Sequence, residues 1–126
     1  MSAWLVDTHA ILWYLADDPR LSAGAKATME SGDSLLLISA ASVCEMAIKA
    51  SLGKLELPDD FAAALEEEGF DSLELGFEHA WRLKDLPVGA HKDPFGRMLV
   101  AQALVEHLPV ISGDVELDQY GIRRHW

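Results

Sequence analysis

Cysteine is almost absent from this sequence, since Cys44 is the only one in 126 residues. A single thiol can form neither an internal disulfide nor a zinc site built on paired cysteines. The sequence therefore favours a reducing compartment, and we expect a cytoplasmic protein. Cys44 itself is expected to be a small residue of the core.

Long apolar runs are absent as well. The first apolar stretch, at residues 3–6, ends at Asp7, and no basic leader precedes it. No run approaches the roughly 20 apolar residues that a membrane-spanning helix needs. From the sequence we therefore expect neither secretion nor insertion into a membrane.

Basic side chains are scarce relative to acidic ones. Lys and Arg number 10 against 21 Asp and Glu, which gives a formal net charge of −11. A protein with this charge repels a polyanion unless a cation is supplied. The composition therefore argues against a passive nucleic-acid binder that ignores base sequence.

The overall composition is that of a globular protein. Half of the residues are hydrophobic and a quarter are charged, which is enough to bury a core and is unlike a disordered or fibrous chain. A chain of 126 residues has the usual size of one domain. We therefore predict a single domain over residues 1–126.

Short apolar runs alternate with helical patterns along the chain. A continuous apolar run is typical of a strand covered on both faces, and parallel strands need crossover helices between them. The pattern predicts strands at 3–6, 34–39, 70–75 and 109–111, an edge strand at 120–122, and helices at 10–15, 22–31, 40–51, 58–68, 77–83 and 94–108. The predicted fold class is α/β, with a mainly parallel central sheet and helices on both faces.

Three acidic residues are predicted to lie at one edge of this sheet. Asp7 ends the first strand, Asp114 follows the strand at 109–111, and Glu45 belongs to the helix after the second strand. In parallel sheets the functional crevice lies beyond the carboxyl ends of the strands. Oxygen ligands gathered without Cys or neighbouring His favour Mg²⁺ or Mn²⁺ over zinc. Such an ion activates water and offsets the acidic charge, so a negative protein could act on a nucleic acid.

Each of these acids also has a plainer interpretation. Asp7 suits the N-cap of a helix that begins at Thr8, and Asp114 lies in a Gly-containing turn, where Asp is common. Glu45 lies among small and apolar residues, so it needs a cation, a hydrogen-bonding partner or a proton. The acids at 59–60 and 66–68 are expected to be solvated.

Four motifs carry a resemblance to a known family. They read LVDTHAILW at residues 5–13, SAASVCEMAIK at 39–49, HKDPF at 91–95 and RMLVAQA at 97–103. In order and spacing, over almost the whole chain, they resemble the PIN-domain ribonuclease toxins called VapC. The resemblance implies a three-layer α/β/α fold, Mg²⁺- or Mn²⁺-dependent endoribonuclease activity, a homodimer, and a cognate antitoxin that neutralises the toxin.

The resemblance also implies roles for particular residues. It places catalytic, metal-binding carboxylates at Asp7, Glu45 and Asp114. Asp93 matches the first aspartate of the family's Asp-Pro-Phe-Asp-Arg motif, and we interpret it mainly as a helix cap. At the second aspartate of that motif, this chain has Gly96.

Gly96 is unusual on physical grounds too. Counted from the Asp93 cap it is the third helical residue, where an acid gains from the helix dipole and Gly costs roughly 1 kcal/mol relative to Ala. A local rule broken without visible gain is typical of functional or altered positions. We hypothesise that Gly96 replaces a metal-binding aspartate, through natural loss or deliberate inactivation. The alternative is a glycine required for close packing.

Weaker candidates surround the acids. Ser and Thr hydroxyls often hold such groups by hydrogen bonds, although they are also ordinary cap and turn residues. Cations near an acidic cleft can meet phosphate, or they can be solvated charges. The hydroxyl candidates are Thr8, Ser42 and Ser112, and the candidates for phosphate or RNA contact are Lys49, His91, Lys92 and Arg97.

The remaining histidine and aromatic residues have simpler expectations. His9 follows Asp7 closely, but no other His or Cys has ligand spacing to it, so a zinc role is disfavoured. The aromatic residues of interest are expected to pack in the core or in a subunit contact, with stacking on RNA bases as the alternative. They are Trp4, Trp13, Tyr14 and Trp81.

The sequence leads to two functional hypotheses. The first is an endoribonuclease toxin, attenuated or inactivated by Gly96, in which water activated by a metal ion attacks the phosphodiester in line. The resemblance implies products with 5′-phosphate and 3′-hydroxyl ends. The second is a non-catalytic module that folds, dimerises and binds its antitoxin or RNA. An antitoxin is expected to cover the helices with an apolar segment and to place a basic side chain in the acidic cleft.

Overall fold

A parallel sheet forms the centre of the computed structural model, which describes residues 2–88 and 93–126. Its strands are β1 Ser2–Val6, β2 Ser34–Ser39, β3 Phe70–Leu73, β4 Val110–Ile111 and β5 Arg124–His125. Within the described ranges the strand order is β3-β2-β1-β4-β5, and every neighbouring pair is parallel. The prediction of an α/β fold built on a parallel sheet is confirmed.

Helices connect these strands. They are α1 Thr8–Leu15, α2 Ala23–Glu30, α3 Ala40–Ser51, α4 Phe61–Glu67, α5 Phe77–Arg82 and α6 Pro94–Glu106, with 3-10 helices at Leu83–Asp85 and Val115–Tyr120. The side chains of Asp7, Ser22, Ser39 and Asp93 accept backbone N–H groups and so fix the starts of α1, α2, α3 and α6. None of the described helices is both long and apolar enough to cross a membrane.

Two apolar cores cover the two faces of the sheet. On one face, α1 to α4 pack against the strands around Ile11 and Met46. On the other face, α6 and the second 3-10 helix pack around Leu5 and Val100, and α5 lies against α6. The predicted three-layer α/β/α arrangement is therefore confirmed.

The largest differences from the predicted element boundaries are at the edge strand and at the start of α4. The edge strand lies at Arg124–His125 instead of 120–122, because Tyr120 still belongs to a 3-10 helix and Gly121 then adopts a left-handed φ of +75°. A left-handed residue turns the chain and cannot continue into a strand. Helix α4 begins at Phe61 rather than at residue 58, since residues 58–60 form a turn in which the Phe61 N–H donates to the Pro58 carbonyl at 3.1 Å.

Cys44 and Trp81, which were both candidates for the core, are exposed, and for Trp81 the alternative of a subunit contact stays a prediction. Cys44 faces solvent because α3 turns Ser42, Glu45 and Met46 inward. Cys44 lies on the opposite, outer side of the helix. Trp81 is 63% exposed on α5. The other three aromatic residues of interest are partly buried and pack against the first core, as expected.

A buried polar bridge links α6 to the start of α3. Gln102 is fully buried, and its carbonyl oxygen accepts a hydrogen bond from the Ser39 hydroxyl while its amide donates to the Glu74 carbonyl at 3.2 Å. The Ser39 oxygen also accepts the Ala41 N–H at 2.9 Å. Because α3 carries Glu45, this bridge helps to fix the position of that carboxylate.

Replacing Gln102 with Leu is expected to lower the free energy of unfolding by about 1–3 kcal/mol, the usual cost of leaving buried polar partners unsatisfied. Chemical denaturation measures the change. The control is Gln119→Leu, because Gln119 is exposed and its amide donates to the Glu116 carbonyl within its own 3-10 helix. Equal denaturation midpoints for the two variants would contradict a stabilising role for the bridge.

Candidate acidic site at the sheet edge

A cavity of about 90 Å³ lies beyond the carboxyl ends of β1 and β4. Its acidic lining residues are Asp7, Glu45, Asp93 and Asp114, and the others are Thr8, His9, Phe95, Gly96, Leu99 and Leu117. Residues far apart in the sequence therefore meet at one place. The sheet edge brings the three acids named from the sequence together, and it places Gly96 beside them.

Asp7 caps α1 and also faces the cavity. Its carboxylate accepts the Ala10 N–H at 2.8 Å. Burial raises the pKa of Asp7 above its ordinary value of 3.8, and the charge of Asp114 adds to this. Hydrogen bonds from Ser112 and Ala10 and the charge of His9 oppose the shift but are outweighed. The cap and the site are thus two roles of one side chain, and its charge is costly in this position.

Ser112 connects Asp7 to Asp114. Its hydroxyl is buried, donates to the Asp7 carboxylate and accepts the Asp114 N–H at 3.0 Å. The Asp114 carboxylate in turn accepts the Glu116 N–H at 3.0 Å and caps the following 3-10 helix. A Cβ atom at Gly113 would lie 2.9 Å from the Trp126 ring, so a glycine is required at this close approach. The turn that carries Asp114 is therefore held from several sides.

Glu45 has the cation and the hydrogen-bonding partner that its apolar surroundings require. Its carboxylate accepts the Thr8 hydroxyl at 2.7 Å. Its other oxygen pairs with the Lys49 ammonium at 3.0 Å, one turn further along α3. Glu45 is buried, whereas the Lys49 side chain is 41% exposed. The sequence suggested phosphate contact for Lys49, whereas in the structure its ammonium pairs with the Glu45 carboxylate.

Asp93 and Gly96 lie on the α6 side of the cavity. Asp93 is exposed and accepts the Phe95 N–H at 3.1 Å, which makes it the cap of α6. Gly96 is half-buried in the first turn of that helix. An aspartate at position 96 would therefore add a carboxylate to this side of the cavity.

The other candidates are placed differently. Arg97 donates to the Pro87 carbonyl at 2.9 Å and to the Tyr120 hydroxyl at 3.3 Å, so it joins α6 to two neighbouring segments. Phosphate contact by Arg97 stays a prediction. Ser42 is buried on α3, three residues before Glu45. The remaining two candidates, His91 and Lys92, lie outside the described residues.

The donor chemistry of the cavity suits a hard divalent cation, since carboxylates from three elements line it. Among residues 2–88 and 93–126, however, no three or more His, Cys, Asp or Glu side chains are grouped closely enough to hold an ion. Asp7 and Asp114 lie close enough to influence each other, while Glu45 is held by Lys49. The residues that line the cavity therefore suit a divalent ion in donor type, although their present spacing does not form a ligand group among the described residues.

Two features of the site were missed at the level of sequence. His9 borders the cavity, and its ring stacks on Trp13 with centroids 5.6 Å apart. The second feature is the ion pair between Glu45, which lines the cavity, and Lys49. Both pairs have the i, i+4 spacing that puts side chains on one helix face, so this spacing was the available signal.

Comparison with known proteins gives a family model and structural neighbours. The model for the PIN domain matches residues 4–122. The structure of VapBC2 from Rickettsia felis, bound to a DNA fragment from its promoter, is 8% identical with a TM-score of 0.71, covering 98% of this chain and 99% of that chain. No curated protein sequence gives a significant match.

Two further neighbours have the same fold. VapBC-1 from nontypeable Haemophilus influenzae is 14% identical with a TM-score of 0.60, covering 97% of this chain and 96% of that one. DNA-bound VapBC from Salmonella typhimurium is 18% identical with a TM-score of 0.65, covering 98% and 97% respectively. At sequence identities this low, the similarity to these structures shows a shared fold and nothing more.

Proposed function

We propose that this chain, which belongs to the PIN domain family, is the toxin of a VapBC-like pair and an endoribonuclease dependent on Mg²⁺ or Mn²⁺. The observation that carries the proposal is the acidic cavity. Carboxylates from the end of β1, from α3 and from the turn after β4 line one small space at the carboxyl edge of a parallel sheet, where such folds bind ligands.

The residues of the cavity have two kinds of role in the proposed reaction, binding the ion and orienting its ligands. Asp7, Glu45 and Asp114 would hold the ion, Ser112 orients Asp7, and Thr8 orients Glu45. A divalent ion, when bound, supplies an activated water and stabilises the leaving oxygen of the phosphodiester. Since burial and Asp114 make the charge of Asp7 costly, this carboxylate gains from a nearby cation.

A weak or silent enzyme is the form of this function that the site supports best. Gly96 supplies no carboxylate, and the Lys49 ammonium already neutralises Glu45. The same two observations favour the second candidate, a PIN-like module that binds antitoxin or RNA without cutting. The two candidates differ only in whether the cavity can be loaded with an ion that supports turnover.

The partners follow from the same proposal. The structural neighbours are VapBC complexes, so we propose a cognate antitoxin, an RNA substrate, a homodimer and a cytoplasmic location. A groove of about 350 Å³ between α1 and α4 suits an apolar segment with basic flanks. Leu12, Leu15, Leu57 and Phe61 contribute its apolar lining, and Glu56, Glu67 and Glu68 its acidic lining.

RNA cleavage is the direct test of the function. The purified chain is incubated with structured RNAs and Mg²⁺ or Mn²⁺, beside its Gly96→Asp and Asp7→Ala variants. Fragments made by the unmodified chain or by Gly96→Asp are expected to carry 5′-phosphate ends and to be absent in EDTA. Asp7→Ala is expected to make none. Cutting by the unmodified chain supports an active enzyme, and cutting only by Gly96→Asp supports a silenced one. If neither the unmodified chain nor Gly96→Asp cuts any RNA, the nuclease proposal fails and the binding module is favoured.

Replacing Lys49 with Gln is expected to tighten Mn²⁺ binding by roughly 5-fold, because a partly exposed ion pair is worth up to about 1 kcal/mol and its loss frees Glu45. Titration followed by electron paramagnetic resonance measures the dissociation constant. The control is Lys26→Gln, since the Lys26 ammonium pairs with Asp17 at 2.9 Å away from the cavity. Unchanged or weaker Mn²⁺ binding by Lys49→Gln would contradict a role for Glu45 as a ligand.

A further inference from the structure

His9 lies at the rim of the acidic cavity and does not take part in the proposed reaction. It is exposed, it belongs to the first turn of α1, and it follows the Asp7 cap by two residues. One face of its ring is covered, since it stacks on Trp13 with centroids 5.6 Å apart and planes 27° apart. The other face of the imidazole is therefore exposed beside the candidate cleavage site.

Several contacts hold Trp13, the ring on which His9 stacks. Trp13 packs against the first apolar core, and its ring also meets Trp126 at 6.0 Å between centroids. The Arg20 guanidinium lies 5.0 Å from the centre of the Trp13 ring. A bidentate ion pair with Asp18, at 2.7 and 3.1 Å, fixes that guanidinium in turn. The imidazole is therefore the outer ring of a stacked pair whose inner ring, Trp13, is held by contacts with the rest of the fold.

The geometry points to His9 as the stacking platform for a nucleobase of single-stranded RNA, next to the phosphate held at the acidic cavity. This inference rests on the proposed function, and it names how that substrate is held. A base on the outer face of His9 would extend the stacked pair of the His9 and Trp13 rings. Bases stack on aromatic rings and on histidine in RNA-binding proteins, with little dependence on base identity.

The charge of the protein gives a reason for such a contact. At a net charge of −11, long-range attraction for the phosphate backbone is lacking. Stacking does not depend on net charge and acts at short range. The ring also lies close to Asp7, because His9 and Asp7 line the same cavity, so a strand bound at Asp7 can reach it.

Fluorescence anisotropy with a labelled single-stranded RNA tests the inference. Affinity is measured in Mg²⁺, and a gel after each titration shows that the RNA is intact. His9→Ala is expected to weaken binding by about 10-fold, within the range for one stacked base. His9→Phe keeps the ring and is expected to stay within about 2-fold of the unmodified chain. The control Trp81→Ala removes an exposed aromatic residue on α5, outside the cavity lining, and is expected to leave affinity unchanged.

A scan with abasic RNAs, each lacking one base, locates the contact. At one position the loss of the base should weaken binding to the unmodified chain about 10-fold and should leave binding to His9→Ala unchanged. Binding that His9→Ala does not alter, or that His9→Phe weakens as much as His9→Ala, overturns stacking while the proposed function stands. If the unmodified chain binds none of the RNAs, both the RNA substrate and this inference are wrong.

Discussion

Replacing Gly96 with Asp is expected to raise the rate of Mg²⁺-dependent RNA cleavage by roughly 100-fold. Residues that only orient a metal ligand are already worth 10–100-fold in affinity or activity, so a restored ligand should reach the upper end of that range. The new carboxylate would lie in the first turn of α6, on the cavity lining that holds Asp7 and Asp114. A rate assay with a single RNA substrate measures the effect.

The matched control for this variant is Gly32→Asp. It adds the same charge at an exposed position where a Cβ atom has nothing within 4 Å, and no change in rate is expected. Mn²⁺ should also raise the melting temperature of Gly96→Asp more than that of the unmodified chain, because a ligand that binds only the folded state stabilises it. If the rate and the Mn²⁺ effect are the same with Gly and Asp at position 96, the lost-ligand hypothesis is wrong.

Replacing Asp7 with Asn is expected to abolish cleavage and yet to raise the melting temperature at neutral pH. Asn caps a helix as well as Asp does, so the hydrogen bond to the Ala10 N–H can persist. The substitution removes a carboxylate whose pKa burial and the charge of Asp114 raise. Differential scanning calorimetry and the cleavage assay measure the two effects. A variant that melts lower than the unmodified chain at pH 7 would contradict the claim that this charge is costly.

The pH dependence of stability separates this effect from the loss of a cap. A carboxyl group whose pKa is raised by folding binds its proton more tightly in the folded state. As the pH falls through the raised pKa towards the ordinary value of 3.8, the folded state takes up the proton first, and this group's contribution to stability increases. The difference in stability between Asp7→Asn and the unmodified chain should therefore shrink on acidification. Exposed Asp33, replaced by Asn, serves as the control.

Much of the fold could be predicted because its signals are local. The buried strands β1 and β2 are continuous apolar runs, and the Asp93-Pro94 pair marks the start of α6 by cap chemistry alone. Once the strands are parallel, their carboxyl ends share one edge, so the neighbourhood of Asp7 and Asp114 also follows. The α/β class and the place of the candidate site could therefore be inferred from the sequence alone.

Other features depend on tertiary contacts that the pattern does not carry. Helix α3 has apolar side chains on its outer face, since Val43 is 43% and Ile48 45% exposed, so its composition did not reveal that Cys44 points outward. Strand β5 has only two residues, too few for a periodic signal. The ion pair between Glu45 and Lys49 is different, since its i, i+4 spacing is a local signal that the sequence does carry.

Anomalous scattering from crystals grown with Mn²⁺ tests most directly whether the acidic cavity is a metal centre. We predict an anomalous peak in contact with the Asp7 and Asp114 carboxylates, stronger in Gly96→Asp than in the unmodified chain. A cavity without a peak at saturating Mn²⁺ in both proteins, or Mn²⁺ bound only at other acidic residues, would contradict the account.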